Sequence, residues 1–399
     1  MSRRPITLFL VMSLAMAACS GSEATENAQP TLAPSTTSTT STTAPTTTTS
    51  AVAALTIAEA PPALTEVVEG FYGFAKGTAT AEPAAPEQVV AAITPSQTET
   101  PTDGTASVGT FAEQATAVVE IGPDVFLAVD DGSGWRIVGG EWPSLSLPAF
   151  YGEGPRIVAV VGSDARPGQD VDRTRADSIH FVGLDGNGGG AVVGLPRDSY
   201  VAVPGFGRKK ITASLALGGP ETMMAAFNDL TGLPLEGYVL TGFAGFESLL
   251  TSVLGGVEVD VPFSINDKWA HVALSAGKQL LNGAEALGFA RARKTVPGGD
   301  FGRSGHQGVI LIGAAEMVKT MGYGSIPGLM EMAEEHLTTN LTPEQLLTFS
   351  AMAISADLES LANVVAPGRT GTAAGASVVF LSDSVASLWA DLADGRLEG

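Results

Sequence analysis

Cysteine and positive charge are both scarce in this chain. Its one cysteine, Cys19, excludes a disulfide framework and any zinc site built from cysteines. Lys and Arg total 21 against 42 Asp plus Glu, for a net charge of −21. Without an excess of cations to release counterions from phosphates, the chain is unsuited to general nucleic-acid binding. The sequence also lacks a GxxxxGK[ST] run and a GxSxG run, which excludes a P-loop and a nucleophile elbow, and its four histidines show no HExxH spacing. Only 16% of the 399 residues are charged while 44% are hydrophobic, so a sizeable core forms in one large domain or two ordinary ones.

The cysteine has a definite place. Arg3 and Arg4 form a basic start, and the uncharged stretch from Ile6 to Ala18 is too short to span a bilayer but suits a signal peptide over residues 1–18. Met16-Ala17-Ala18-Cys19 is similar to a bacterial lipobox, which makes Cys19 the expected lipidation site and membrane anchor. From Thr31 to Ser50 the chain is almost wholly Thr, Ser, Ala and Pro; residues 19–50 therefore read as a lipidated tether that cannot bury enough surface to order itself.

Two folded regions are expected after the tether. Residues 51–150 predict a small α+β domain with no catalytic constellation: a helix at Leu64–Phe74, a Pro/Ala/Thr-rich interruption from Thr78 to Gly109, and strands at Thr116–Ile121, Val125–Asp130 and Trp135–Val138. From Arg156 to Leu392, short apolar runs alternate with amphipathic stretches. Ile157–Val161, Ser178–Val182, Ala191–Leu195, Val257–Val261 and Ser377–Leu381 read as strands. Glu221–Leu230, Gly245–Leu254, Ala284–Ala292, Gln307–Met321, Pro343–Ser355 and a last stretch to Leu392 read as helices. The alternation predicts a mixed-sheet αβα sandwich.

The cations are concentrated there. Fourteen of the 21 lie between Arg156 and Arg303, most of them arginines, whose planar fork grips phosphate oxygens bidentately. Several flank strand ends and glycines, as in Gly162-Ser163-Asp164-Ala165-Arg166 and Leu195-Pro196-Arg197-Asp198, where α/β sheets build ligand clefts. One anion held in a cleft explains this concentration; ordinary pairing with the many carboxylates explains it equally well.

Those blocks, with Arg175-Ala176-Asp177-Ser178, Lys210-Ile211-Thr212-Ala213, Leu254-Gly255-Gly256-Val257, Phe289-Ala290-Arg291-Ala292-Arg293, Gly299-Asp300-Phe301-Gly302-Arg303 and Gln307, resemble in order and spacing the LytR-CpsA-Psr family over residues 156–392. The resemblance implies an αβα fold with an internal apolar pocket for a polyprenyl chain. It implies an extracytoplasmic enzyme at the outer face of the bacterial membrane that moves a glycopolymer from a polyprenyl-pyrophosphate carrier to peptidoglycan, with Mg²⁺ as cofactor. By position, Asp164 and Asp177 match the metal-binding aspartates, and Arg175, Arg197, Arg291, Arg293, Arg303 and Gln307 match the pyrophosphate-gripping set. Asp164, Asp177, Arg197 and Arg291 are then the catalytic candidates.

The residue chemistry agrees, since phosphoryl transfer needs a metal and cations to neutralise charge on the transferring oxygens, and magnesium takes one or two carboxylates. Asp177 or Asp164 is also the candidate acceptor of the acceptor hydroxyl's proton. Asp198 reads as the structural partner of Arg197, and Arg166 and Arg173 as rim residues. Phe243, Phe246, Leu249, Leu250, Ile310, Ile312 and Met317 are the expected pocket wall. His306 replaces the arginine that commonly precedes the glutamine; it reads either as a pH-dependent phosphate donor or as an exposed helix-start residue. Hydrolysis of the same pyrophosphate and non-catalytic binding of polyprenyl phosphate or wall polymer are the alternative functions.

Overall fold

A computed structural model describes residues 55–95 and 99–397; the signal peptide, Cys19 and the tether lie outside the described residues. The first sheet runs from β1 (Thr56–Ala58), past α1 (Pro62–Ala75) and α2 (Glu87–Ala92), to β2 (Asp103–Phe111), β3 (Gln114–Ile121), β4 (Asp124–Asp130), β5 (Trp135–Trp142) and β6 (Leu147–Phe150). β2 to β6 form an antiparallel meander, and β1 joins its edge in parallel with β2. Three strands are legible in the sequence and six form. β2 is built of Gly, Thr, Ala and Ser, so its own propensity is weak and its pairing partners decide its state.

The central strands β3, β4 and β5 are buried on both faces, as their continuous apolar runs require. Val119, Phe126 and Ile137 turn toward Leu64, Val68 and Phe71 of α1. Their neighbours Val118, Leu127 and Val138 turn the opposite way, toward two helices contributed some two hundred residues later.

The second sheet is built from β7 (Arg156–Ser163), β8 (Ala176–Leu184) and β9 (Gly190–Gly194). The hairpin β10 (Tyr200–Val203) and β11 (Gly207–Lys210) leads into α3 (Ala213–Thr231), which is kinked at Gly219-Pro220, so that its second half is the helix expected at Glu221–Leu230. Then follow β12 (Leu235–Thr241), α4 (Phe243–Ser248) with a π turn at Leu249–Val253, and two small hairpins, β13 (Val257–Val261) with β16 (Gly277–Leu281) enclosing β14 (Ile265–Asp267) and β15 (Val272–Leu274). The chain closes with α5 (Gly283–Arg291), α6 (Asp300–Met321), α7 (Ile326–Ala333), β17 (Thr338–Thr339), α8 (Pro343–Ser355), β18 (Ala362–Val365), β19 (Gly368–Ala373), β20 (Ala376–Leu381) and α9 (Val385–Leu392).

Strand order in the second sheet is β17-β12-β7-β8-β9-β18, with β7–β12 and β9–β18 parallel and the rest antiparallel. The mixed direction expected from the short connections is present. One face packs on α3 and α9, where Phe181 meets Phe227 and Trp389 edge to face at 5.4 and 5.6 Å. The other face packs on α6. There Gly194 lets the helix approach: a Cβ at that position would lie 2.3 Å from Ser304 Oγ. Beside it the buried His180 donates from Nε2 to the Ser304 carbonyl at 3.0 Å.

Arg156, one of the fourteen clustered cations, is a structural anchor. Buried, it donates to both oxygens of Glu236 at 2.8 and 2.5 Å, and to Tyr151 O, Thr348 Oγ1 and Gln345 O, tying β7 to β12 and α8. Among the described residues no single helix is long and apolar enough to cross a membrane.

Candidate active site

Two strand ends and two helix ends converge on one cavity mouth. Ser163 stands opposite Ala176 and Gly162 opposite Ser178, so β7 and β8 deliver Asp164 and Asp177 from neighbouring strands. Asp177 lines the cavity. One of its carboxylate oxygens pairs with Arg197 Nη1, and the other accepts from Thr212 Oγ1 at 3.5 Å. Asp164 stands outside the lining, at the rim. Its Oδ1 accepts the Arg175 backbone N–H at 2.9 Å, and its own N–H donates to the Arg175 carbonyl at 2.9 Å.

The helix α5 is fixed at its start by a capping box between Asn282 and Glu285 and ends on Arg291. The Arg291 guanidinium lies 4.8 Å from the centre of the Phe243 ring, at the cavity wall. α6 begins at Asp300, seven residues before the expected start at Gln307. That extra length is chemically decisive, because positions 300, 303 and 307 share one helix face. Arg303 Nη2 lies 2.7 Å from Asp300 Oδ1, Arg293 Nε lies 3.7 Å from the same oxygen, and Gln307 Nε2 donates to Ala290 O at 3.0 Å. Asp177, Arg291, Arg303 and Gln307 therefore line one cavity, with Arg197, Arg293 and Asp300 directly behind them.

The cluster holds charged donors and acceptors that are not matched to one another. Arg197 Nε and Arg303 Nε are buried with no hydrogen-bond partner, and both Asp300 oxygens are buried without an aligned hydrogen bond, Oδ1 being in ion-pair contact with Arg303 and Arg293. Burial holds the Arg303 guanidinium below its ordinary pKa, partly offset by Asp300, while Arg197 adds like-charge repulsion. Burial presses Arg197 the same way, but attraction to Asp177, with Asp300 and Asp198 behind it, prevails and raises it. Both stay charged. Buried, charged donors without acceptors are costly alone, and a tetrahedral anion supplies what they lack.

A magnesium ion fits the carboxylates at neighbouring strand ends in kind: hard oxygen donors, two in number. Among the described residues no group of three His, Cys, Asp or Glu could hold a metal, so substrate oxygens and water would fill the other positions.

A second space adjoins this mouth, and both are partly open to solvent. The charged end holds about 670 Å³ of empty space, part of it open to solvent. Val160, Val161, Thr241, Phe246, Ile310 and Leu311 are shared with a second, almost wholly apolar space of about 1010 Å³. Phe243, Phe246, Leu249, Leu250 and Ile310 line these spaces as expected, whereas Ile312 and Met317 do not. The lining face of α6 is Ile310, Leu311, Ala314 and Val318, a helical repeat that leaves 312 and 317 on other sides.

Several expectations change. Asp198 is paired with Lys210 at 2.9 Å, and Arg197 instead reaches back to Asp177. The Arg175 side chain is exposed and forms no ion pair among the described residues; its contact here is made by its backbone, to Asp164. Arg166 and Arg173 are exposed outside the cavity lining. His306 is neither exposed nor at the phosphate end. It is 7% exposed and stacks on Phe289 at 4.4 Å, one position round the helix from Gln307; burial lowers its pKa and keeps it neutral.

Two residues are missing from the sequence reading. Asp300 lies inside a recognised block without a chemical role. Asp267, 1% exposed, accepts from the backbone amides of Trp269, Ala270, Arg293 and Lys294 at 3.0 to 3.2 Å, and so fixes the loop that carries Arg293. Despite burial these amides hold its carboxyl below the usual range. In the sequence it is indistinguishable from any turn aspartate.

Residues 144–393 match the LytR_cpsA_psr family model, which starts twelve residues before the expected Arg156 and ends one after Leu392. The probable cell wall biosynthesis protein LcpB of Corynebacterium glutamicum is 35% identical over 151 residues, 35% of this chain and 36% of its own length. The polyisoprenyl-teichoic acid–peptidoglycan teichoic acid transferase TagU of Bacillus anthracis is 33% identical over 199 residues, 48% of this chain and 62% of its own. The match thus spans about a third to three fifths of the length of these curated relatives. The crystal structure of B. subtilis TagV superposes with a TM-score of 0.53 at 25% identity, covering 61% of this chain and 98% of TagV. With the model match spanning more than half its length, the chain belongs to the LytR_cpsA_psr family.

Proposed function

We propose that this chain is a phosphotransferase of cell-wall assembly. It takes a glycopolymer from a polyprenyl-pyrophosphate carrier and joins it to a peptidoglycan hydroxyl, at the outer face of the membrane to which Cys19 anchors it. The observation that carries the reading is a pair of buried guanidinium Nε–H donors without a partner, one on Arg303 in the cavity wall and one on Arg197 behind Asp177, beside an apolar space. A pyrophosphate with a long hydrocarbon chain has the two halves that such a site lacks.

In this reading Arg197, Arg291 and Arg303 hold the pyrophosphate oxygens, and Gln307, braced on Ala290 O, closes the mouth beside them. Arg293 stands behind, and Arg175, with its side chain exposed, contributes through the backbone that holds Asp164. Asp164 and Asp177 would hold Mg²⁺, which when bound supplies positive charge to the transferring phosphoryl group and the leaving phosphate. The acceptor hydroxyl oxygen forms a bond to the sugar-bearing phosphorus as the bond to the polyprenyl phosphate oxygen breaks. The hydroxyl proton passes to a carboxylate, Asp177 being the one inside the cavity, and from there to water. Polyprenyl monophosphate leaves with the bridging oxygen and its electron pair.

The test is incubation with magnesium and a polyprenyl-pyrophosphate saccharide, with and without peptidoglycan. Polyprenyl phosphate released only with acceptor present is the expected result. Release without acceptor points to hydrolysis, and tight binding with no release points to a carrier protein.

A further inference from the structure

Residues 55–150 have no constellation of their own, yet they are not a free appendage. Their β2–β3 surface packs on α7, and α7 is also a wall of the apolar cavity. Ile326 and Met330 serve on both sides: they pack with Phe111 and Val118 of the first sheet, and they line the cavity with Leu329 and Ala333. We infer that the N-terminal sheet sets the position of α7, and through it the length of hydrocarbon chain the cavity accepts. This rests on the reading of that cavity as the seat of a hydrocarbon chain.

α7 cannot hold its own position. It has eight residues, with Pro327 and Gly328 in its first turn, and follows Gly322 and Gly324. Isolated helices this short are marginal in water even with ideal composition. Its place is fixed from outside. Gly109 of β2 comes so close that a Cβ there would stand 2.5 Å from the Pro327 carbonyl oxygen. Two side chains then clasp the β2–β3 turn: Thr110 N–H donates to Glu331 Oε2 at 3.4 Å, and Ala112 N–H donates to Glu334 Oε1 at 2.9 Å. A second joint lies at the other end, where the Tyr151 and Tyr323 hydroxyls, 3.0 Å apart, both donate to Glu141 of β5. Away from the sheet, α7 is flanked by Leu347 and Ala351 of α8, and Leu329, Met330 and Ala333 face the cavity, so a displacement of the sheet surface is passed along the close-packed helix to the cavity wall.

Gly109→Val pushes α7 inward, because the obstacle it meets is backbone. The assay is displacement of a fluorescent alkyl probe from the full chain by fatty acids of graded length, which needs no pyrophosphate chemistry. The wild type is expected to bind longer acids more tightly. In Gly109→Val the longest acids are expected to lose about tenfold in affinity while the shortest change less than twofold, and Met330→Ala in the same chain restores the long ones. Glu331→Ala with Glu334→Ala, both exposed and safe for folding, frees α7 and flattens the length profile. A folded Gly109→Val with an unchanged profile, a uniform loss at every length, or a wild type that binds no alkyl chain overturns the inference. Chain-length selection without transferase activity would remove the proposed function and leave this inference standing; an active transferase with an unmoved profile does the reverse.

Discussion

Arg303 and Arg197 separate charge from geometry. Arg303→Lys keeps the positive charge but loses the planar fork and the buried Nε–H that lacks an acceptor. Removing one such donor from a transition-state site costs about 10²–10³ in rate. Transfer by Arg303→Lys is expected to fall by at least about 100-fold with little change in the melting temperature; retained activity would show that pyrophosphate is bound elsewhere. Asp267 acts one step back from the chemistry, by fixing the Arg293 loop and the Trp269 turn together. Trp269 is a convenient reporter, being 52% exposed where Trp135, Trp142 and Trp389 are 8, 0 and 3%. With Asp267→Ala, iodide is expected to quench Trp269 more strongly and transfer to drop about tenfold, read as a rise in KM for the donor. At this scale the family pattern marked Asp177, Arg197, Arg291, Arg293, Arg303 and Gln307, which gather, but also Arg175, whose side chain is exposed, and it left out Asp300. It could not show that Asp198 serves Lys210, or that His306 turns into the core. A neighbour's identity is local, but a side chain's direction depends on the helix phase.

Elements were legible where propensity and packing agree, as in α8, whose Thr342 capping box and apolar repeat give its bounds directly. α6 shows the opposite case. Gly302 and Gly305 make its first turns read as loop, and close approach accounts for Gly302 and Gly308: a Cβ on Gly308 would lie 2.1 Å from Asn363 Oδ1 on β18, and one on Gly302 would lie 2.1 Å from Pro297 O. The helix gives up intrinsic propensity to lie close against the sheet, and only that closeness places Arg303 and Gln307 at the mouth. Gly308→Ala is expected to destabilise the fold by about 1–3 kcal/mol through overpacking, measured by urea unfolding. Gly328→Ala in α7, with nothing within 4 Å of the added carbon, is expected to be neutral or to stabilise by up to about 1 kcal/mol from helix propensity alone. Equal effects of the two substitutions would remove close approach as the reason for the α6 glycines.

For the whole molecule, the net charge of −21 conceals a buried electrostatic asymmetry, and acid exposes it. His180 is fully buried between sheet and α6, and faces only the Ser178 hydroxyl and the Ser304 carbonyl. Burial pushes its pKa down to about 4. The unfolded chain, with an ordinary histidine near 6.5, therefore binds more protons than the folded one between those two values, so stability is complete above about pH 6.5 and is lost as pH falls toward 4. From pH 7 to 5 this single group contributes a loss of about 2 kcal/mol. His306, lowered by burial as well, adds in the same direction. The depressed Asp267 carboxyl adds its own loss only further down, as pH falls through its folded pKa below the usual carboxylate range. Protonation of surface carboxylates relieves the excess negative charge, an opposing effect centred near pH 4 and only beginning at pH 5, so it offsets part of the histidine loss at the acid end of the window. Urea unfolding at pH 7 and 5 is expected to show the loss in the wild type. His180→Asn, which removes the titrating ring while leaving a side chain able to donate to Ser304 O, is expected to flatten it by about 2 kcal/mol. An undiminished slope in that variant would mean that another group carries the acid sensitivity.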